Sequence, residues 1–319
     1  TKEKVFAGFL FPKVALLGVG LIGGSVGLAL KVRGLAEEVI GVARTRRTLE
    51  RALERGAIDR AETDPIRAVQ EADLVYLATP VEIIVPLVRG IFPFLKPGAL
   101  VTDAGSVKGA IIEGVRSLEW GEVEFLGGHP MAGSEKSGIE AACPDLFRQM
   151  AYILTPAGMA KPSTVERFRQ WVEALGGRVL FMEPTLHDRV VAVASHLPHF
   201  LALGLMRVAL QRERQGEPVL EVAAGSFRDA TRVAMSDPSL WESIFRLNRE
   251  AVLEACEELE ATLQEVKHLL REGQSETFRL WFHEAGQARR LAFSALETEH
   301  AEDSSLEEGS AGLAAGAGG

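Results

Sequence analysis

At 319 residues, 47% hydrophobic and 25% charged, the chain has the composition of a soluble globular protein and the length of two domains. Its formal net charge of −9 argues against a nucleic-acid partner, because phosphate binding needs a concentrated basic surface, although local arginines can still hold a small anion. The two cysteines, Cys143 and Cys256, fit reduced thiols in a cytoplasmic enzyme, and no CxxC or HExxH spacing gives reason to expect a metal.

Residues 1–12 read as an N-terminal extension, apolar from Val5 to Phe11, too short to span a membrane and expected to pack on the neighbouring domain. From residue 13, short apolar runs alternate with amphipathic stretches. Lys13–Leu17, Glu38–Val42, Asp73–Ala78 and Ala99–Asp103 read as strands. Leu21–Arg33, stopped at Gly34, and Arg47–Arg55, closed by Gly56, read as helices. That alternation implies an α/β, Rossmann-type, doubly wound and mainly parallel sheet. Ala151–Thr155 and Arg178–Phe181 flank a helix over Ser163–Leu175 and are expected to extend the same sheet. The dinucleotide-binding domain is thus placed at 13–183.

After Pro184 no strand pattern remains. Helical periodicity continues to about residue 299, with its longest run over Trp241–Leu270. An all-α domain over 184–299, with wide apolar stripes, suits a substrate domain that also forms a homodimer. Residues 300–319 are mostly Glu, Ser, Ala and Gly, the composition of a disordered tail.

Gly18, Gly20 and Gly23 follow the first strand and open the first helix, the context a dinucleotide fingerprint requires. In it Gly18 permits the tight turn, Gly20 admits the pyrophosphate, Gly23 allows close packing, and Leu21 and Ile22 carry the free amides at the helix start. Thr79, just past the third strand, is a further candidate for cofactor binding. At the end of the second strand, where NAD-specific sites place a carboxylate, stand Ala43 and Arg44, followed by Thr45, Arg46 and Arg47. A guanidinium there suits a 2′-phosphate, which favours NADP and leaves NAD possible. The plainer reading makes these arginines only the polar start of the next helix.

Four further segments carry chemistry: Asp103-Ala-Gly-Ser-Val-Lys-Gly109, Gly127-Gly-His-Pro-Met-Ala-Gly-Ser-Glu135, Ser195-His-Leu-Pro-His199, and Gly225-Ser-Phe-Arg-Asp-Ala-Thr-Arg232, which runs on to Ser236-Asp-Pro238 and Trp241. In order and spacing, over about residues 13–295, the chain resembles the prephenate and arogenate dehydrogenases of tyrosine biosynthesis (the TyrA family). Prephenate loses a hydride from the ring carbon that bears a hydroxyl, and loses its ring carboxylate as carbon dioxide. Such a reaction needs a base, a nearby hydride acceptor and cations for two carboxylates.

The resemblance makes His129 the group that polarises the ring hydroxyl, with Ser106 bonding both hydroxyl and histidine. Ser106 could equally cap a helix from Val107 onward. Arg232 is implied as the bidentate partner of the ring carboxylate, and Gly225 as a place where backbone approaches substrate. By the same resemblance His199 serves the side-chain end of the substrate, and His196 lies nearer the cofactor and the interface. Ser134 and Glu135 become a substrate contact and a gate. Trp241 becomes a pocket wall donated across a dimer, or else a core residue. Retention of His199 points to prephenate; the Ala43-Arg44 strand end looks more like NADP-using arogenate enzymes. A hydroxyacid or imine reductase would rely on a lysine in the helical half, yet none occurs from 184 to 260. A non-catalytic NADP sensor should have lost Ser106, His129 or Arg232.

Overall fold

The computed structural model describes residues 9–133 and 136–293. The chain divides into two compact units, Thr1–Ala255 and Cys256–Gly319. In the first unit eight strands form one sheet: β1 (Lys13–Leu17), β2 (Glu38–Val42), β3 (Arg60–Glu62), β4 (Leu74–Leu77), β5 (Leu100–Asp103), β6 (Glu124–Pro130), β7 (Ala151–Thr155) and β8 (Arg178–Phe181). Their order is β3-β2-β1-β4-β5-β6-β7-β8. The first six run parallel, β7 pairs antiparallel to β6, and β8 runs with β7. The Rossmann-type sheet and its extension by β7 and β8 are as the sequence implies.

The helices are α1 (Leu21–Val32), α2 (Arg46–Glu54), α3 (Pro65–Val69), α4 (Val81–Ile91), α5 (Gly109–Arg116), α6 (Pro162–Ala174), α7 (Pro184–Val191), α8 (Leu197–Glu213), α9 (Gly225–Thr231), α10 (Pro238–Leu247) and α11 (Arg249–Arg271). A π-helical turn, Ala192–His196, joins α7 to α8. Helices cover both faces of the sheet. Val14, Leu16, Tyr76 and Leu126 face one apolar core, while Ala15, Leu17, Val75 and Val101 face the other. That two-sided burial explains why the parallel strands read as continuous apolar runs.

Three features depart from the sequence reading. β3 and β6 form where no strand was expected. β3 is three residues at the sheet edge, and β6 ends in Gly-Gly-His-Pro, a poor strand sequence that the flanking β5 and β7 hold in place. The run Trp241–Leu270 is broken at Asn248, which leaves helical geometry (φ −108°, ψ 29°) and caps α10. No strand occurs among the described residues beyond β8. The tail 300–319 lies outside the described residues, as does most of the N-terminal extension. In the second unit, α11 is followed by a helix over 275–293, where Phe278 and Phe282 meet edge to face at 5.3 Å.

The continuous helical stretch Pro184–Glu213 has the length and mean hydropathy, 1.3, to cross a membrane, with 22% of its apolar window buried. Its N-terminal half nevertheless holds His187, Asp188 and His196 in hydrogen bonds to other parts of the first unit. A helix that spends its ionisable groups this way is anchored to a folded domain, whereas lipid would leave them without such partners.

The end of the N-terminal extension does pack on the sheet domain. Phe11 is fully buried, edge-on to Phe168 and Trp171 at 6.3 Å each, with the Arg167 guanidinium 4.5 Å above its ring. Phe11→Ala should therefore cost about 3–5 kcal/mol of folding stability. Urea unfolding checks this: an unchanged midpoint would mean that the segment before β1 lies outside the cooperative core.

Candidate active site

The glycine loop meets the steric demands of its fingerprint. Gly18 has φ +100°, and a Cβ there would stand 2.5 Å from the Ala78 carbonyl oxygen. A Cβ on Gly23 would lie 1.9 Å from the Gly18 oxygen, so the turn and the helix start close only on glycine. Gly20 differs: a Cβ there meets no described protein atom within 4 Å, so its open face looks outward. Among the described residues no side chain caps α1 at Gly20. Its first turn, with Leu21 and Ile22, thus presents unpaired amides and the positive end of the helix dipole. Beside it the Thr79 hydroxyl is buried with no hydrogen-bond partner among the described residues. An orphaned hydroxyl, an uncapped helix start and an open glycine fit a dinucleotide pyrophosphate.

Arg44 is exposed between β2 and Thr45, and Thr45 accepts the Thr48 amide as the cap of α2. Arg46 and Arg47 do form the polar start of that helix, but Arg44 stands outside it.

His129 is the sixth residue of β6, in a segment where no strand was expected from the sequence. It is buried, and its Nδ1 shares a 2.8 Å hydrogen bond with Nε2 of His187 on α7. The other nitrogen of His187, Nδ1, lies 2.8 Å from Asp188 Oδ1. The Asp188 carboxylate also accepts the backbone amides of Lys108 (2.7 Å) and Gly109 (2.8 Å). It is therefore Asp188 that caps α5, which starts at Gly109; Ser106 does not, lying on the preceding turn and half-buried. Beneath this group, Lys108 and Asp103 form a fully buried ion pair, and Lys108 Nζ donates to the Gly128 carbonyl at 2.7 Å. Asp103 in turn accepts the amides of Gly105 and Gly128.

His196 and His199 come together on the helical side around Trp241. The His199 ring stacks on Trp241 (3.4 Å between centroids, 24°), and His196 meets it edge-on at 5.9 Å. His199 Nδ1 lies 2.9 Å from the Ser195 carbonyl oxygen. Asn248, the residue that breaks the long helix, donates from Nδ2 to the Asp188 carbonyl oxygen at 2.8 Å and shares a 3.1 Å contact with His196 Nδ1. Trp241, half-buried, packs with these rings and with Phe245 against the apolar core of the first unit. Arg232 is exposed at the start of the 3-10 turn after α9, close enough that its charge lowers the proton affinity of His199. Gly225 opens α9, and a Cβ there would meet no described atom within 4 Å. Ser134 and Glu135 lie outside the described residues.

The electrostatics are those of a site held neutral. Burial pushes the His129 pKa well below the ordinary imidazole value, and the charges at His187, Lys108 and His196 push it the same way. Burial likewise lowers His187, against the opposing effect of its hydrogen bond to Asp188. It lowers His196 to about 4 and lowers the ammonium of Lys108 despite Asp103. Sequence reasoning missed His187, Asp188, Asn248, and the roles of Asp103 and Lys108. Only the Asp103–Gly109 motif pointed near them.

The family models agree with this architecture. The model described as prephenate dehydrogenase, nucleotide-binding domain, matches residues 26–181, and that of prephenate dehydrogenase, dimerization domain, matches 183–284. The chain belongs to the prephenate dehydrogenase family. It is 35% identical over 281 residues to the prephenate dehydrogenase of Lactococcus lactis, covering 87% of this chain and 77% of that protein. Among solved structures it matches Aquifex aeolicus prephenate dehydrogenase in complex with hydroxyphenyl propionate and NAD+, with a TM-score of 0.82, 32% identity, and 90% and 99% of the two chains covered. Synechocystis arogenate dehydrogenase matches with a TM-score of 0.74 and 33% identity, over 87% of this chain and 99% of that one.

Three buried histidines with lowered pKa values make stability depend on pH, with a definite sign. The unfolded imidazoles bind protons that the folded ones refuse, so stability is complete above about pH 6.5 and is lost as pH falls toward the folded values. For His196, lowered to about 4, the loss near pH 5 is on the order of 2 kcal/mol. Urea unfolding at pH 7.5 and pH 5 should show it, and His196→Gln should shrink the difference between the two; an undiminished difference would remove His196 as a cause.

Proposed function

We propose that this family member is a nicotinamide-dependent dehydrogenase that converts prephenate to 4-hydroxyphenylpyruvate by oxidative decarboxylation, working in the cytoplasm as a homodimer. The observation that carries the reading is the buried, neutral His129 at the end of β6. It is hydrogen-bonded to His187, and His196, edge-on to the Trp241 ring on which His199 stacks, lies close enough that its charge lowers the proton affinity of His129. The working division places the dinucleotide part at 13–183 and the helical substrate part at 184–299.

In this reading His129 takes the proton of the ring hydroxyl as the carbonyl forms. Its lowered pKa keeps it unprotonated, and so able to accept, at neutral pH. Ser106, on the turn after β5, contributes a second hydrogen bond to that hydroxyl. Arg232 binds the ring carboxylate and releases it as carbon dioxide; aromatisation drives the step. His199, stacked on Trp241, meets the side-chain keto acid, with His196 behind it, and Gly225 leaves room for substrate beside Arg232. The substrate contact and gate that the family resemblance implies for Ser134 and Glu135 belong to the same proposal. The nicotinamide, when bound, supplies the hydride acceptor. Gly18, Gly20, Leu21, Ile22, Gly23 and Thr79 hold its pyrophosphate side. Arg44, outside α2 and without a carboxylate beside it in sequence, supports NADP over NAD.

The homodimer rests on α8. Phe200, Leu203, Leu205 and Val208 are exposed there, on the part of the chain matched by a dimerization-domain model. Arogenate is the second candidate substrate, favoured by the Ala43-Arg44 strand end and by the match to an arogenate dehydrogenase.

Absorbance of the reduced nicotinamide, followed with prephenate or arogenate and with NAD+ or NADP+, tests the reading. Turnover should be fastest with prephenate and NADP+, and a flat trace in all four combinations would sink it. His129→Asn should lower kcat by roughly 100-fold or more while cofactor affinity holds. Arg44→Ser should raise the KM for NADP+ by about 10-fold and leave that for NAD+ alone; equal effects on both cofactors would place Arg44 away from the 2′-phosphate.

A further inference from the structure

The proposed mechanism leaves one buried set of groups unused: the chain of hydrogen bonds behind His129, running through His187 to Asp188. Its tautomers follow from chemistry. Asp188 Oδ1, a carboxylate oxygen, can only accept, so His187 Nδ1, 2.8 Å away, carries the hydrogen. A neutral His187 then presents a bare lone pair at Nε2. The group 2.8 Å from that lone pair is His129 Nδ1, which must therefore donate. A neutral histidine that donates from Nδ1 has its lone pair on Nε2, the nitrogen left facing away from His187.

We propose that Asp188 and His187 are positioning residues that lock His129 in its Nδ1–H tautomer, so that Nε2 is the atom that accepts the substrate's hydroxyl proton. The inference rests on the proposed function for the identity of that hydroxyl, though not for the tautomer itself. In the step, the O–H bond breaks, its proton moves to His129 Nε2, and the oxygen's electron pair forms the carbonyl as the hydride departs. His129 becomes an imidazolium whose Nδ1–H still donates to His187, so no second proton has to move.

Three anchors make the relay rigid. The Asp188 carboxylate is fixed by the amides of Lys108 and Gly109, and a Cβ on Gly109 would come within 2.7 Å of its Oδ2. The Asp188 backbone carbonyl is held by Asn248. The titratable groups that act on His129 from the packed elements are His187 on α7, Lys108 below and His196 on the π turn, with Asp188 bonded to His187 and Asp103 to Lys108. Burial keeps both histidines of the relay neutral in the working range.

Capping of α5 would account for Asp188 without any relay, so the test must separate the two. Asp188→Asn keeps the volume but has one oxygen for two amides; with its N–H turned toward His187 Nδ1 it keeps the bond from Gly109 and gives up that from Lys108. That N–H reverses His187 to its Nε2–H form and forces His129 to carry its hydrogen on Nε2. In the whole protein, ring-nitrogen NMR of histidine-labelled material near pH 7.5 should show His129 as the Nδ1–H tautomer, assigned by its loss in His129→Asn, and as the Nε2–H tautomer in Asp188→Asn. The same variant should lose about 100-fold in kcat, with KM for substrate and cofactor nearly unchanged.

His187→Gln, whose amide oxygen can accept from His129 Nδ1, should keep the tautomer and most of kcat, while His187→Leu should lose both. This pair decides the matter if Asp188→Asn does not fold. An Nε2–H tautomer in the wild-type protein, or equal activity in the Gln and Leu variants, would overturn the relay. A wild-type enzyme that shows the Nδ1–H tautomer yet turns over none of the four substrate and cofactor pairs would instead overturn the proposed substrate and leave the relay standing.

Discussion

The Asp188 carboxylate is where the helical half of the first unit is tied to the sheet. It stands on α7, at the start of the all-helical sequence, and reaches across to the amides that open α5. Those amides belong to residues 80 and 79 positions away. Four orphan amides begin every helix, and a carboxylate placed there satisfies two of them while meeting the positive end of the dipole. The same residue orients His187 and receives Asn248 through its backbone. Three elements that are distant in sequence therefore agree on one geometry around a single side chain, and His129 lies at its end.

Below it, the Asp103–Lys108 pair is the other fixed point. Both side chains are fully buried, a placement that is costly unless every donor and acceptor is matched. Here the matching is supplied by Gly105, Gly128 and the Gly128 carbonyl, all on β6 or on the turn after β5. The pair therefore acts as a register device. It clamps the end of β5 to the end of β6, and β6 then carries His129 to the edge where the strand direction reverses at β7. The absence of a side chain at Gly128 belongs to the same device, because a Cβ there would meet the Asp103 carbonyl oxygen at 2.8 Å.

How much of this could be read in the sequence divides along a physical line. Features fixed by neighbours in the chain were legible: the glycine turn before α1, the glycines that close α1 and α2, and the apolar strands that a doubly covered sheet demands. Features fixed by partners far along the chain were not. β6 carries two glycines, a histidine and a proline in seven residues, and it is a strand only because β5 and β7 pair with it. Asn248 sits inside an unbroken helical periodicity, and its break is set by bonds to Asp188 and His196. His187 and Asp188 are adjacent residues in an ordinary helical stretch, with no spacing to mark them. The family motifs brought His129, Ser106, His199 and Arg232 to notice. They said nothing of what stands behind His129, since that partner came from a segment outside all four motifs.

The charge arithmetic of the buried groups bears on why the site tolerates such an arrangement. Formally, Asp103 and Asp188 contribute two negative charges and Lys108 one positive, so the cluster is unbalanced while His129 is neutral. Protonation of His129 balances it. Desolvation nevertheless opposes that protonation, and the charges at His187, Lys108 and His196 act with it, holding the imidazole bare in the resting protein. The cost falls on the folded protein at acid pH, where the same histidines must be charged in a place built to keep them neutral.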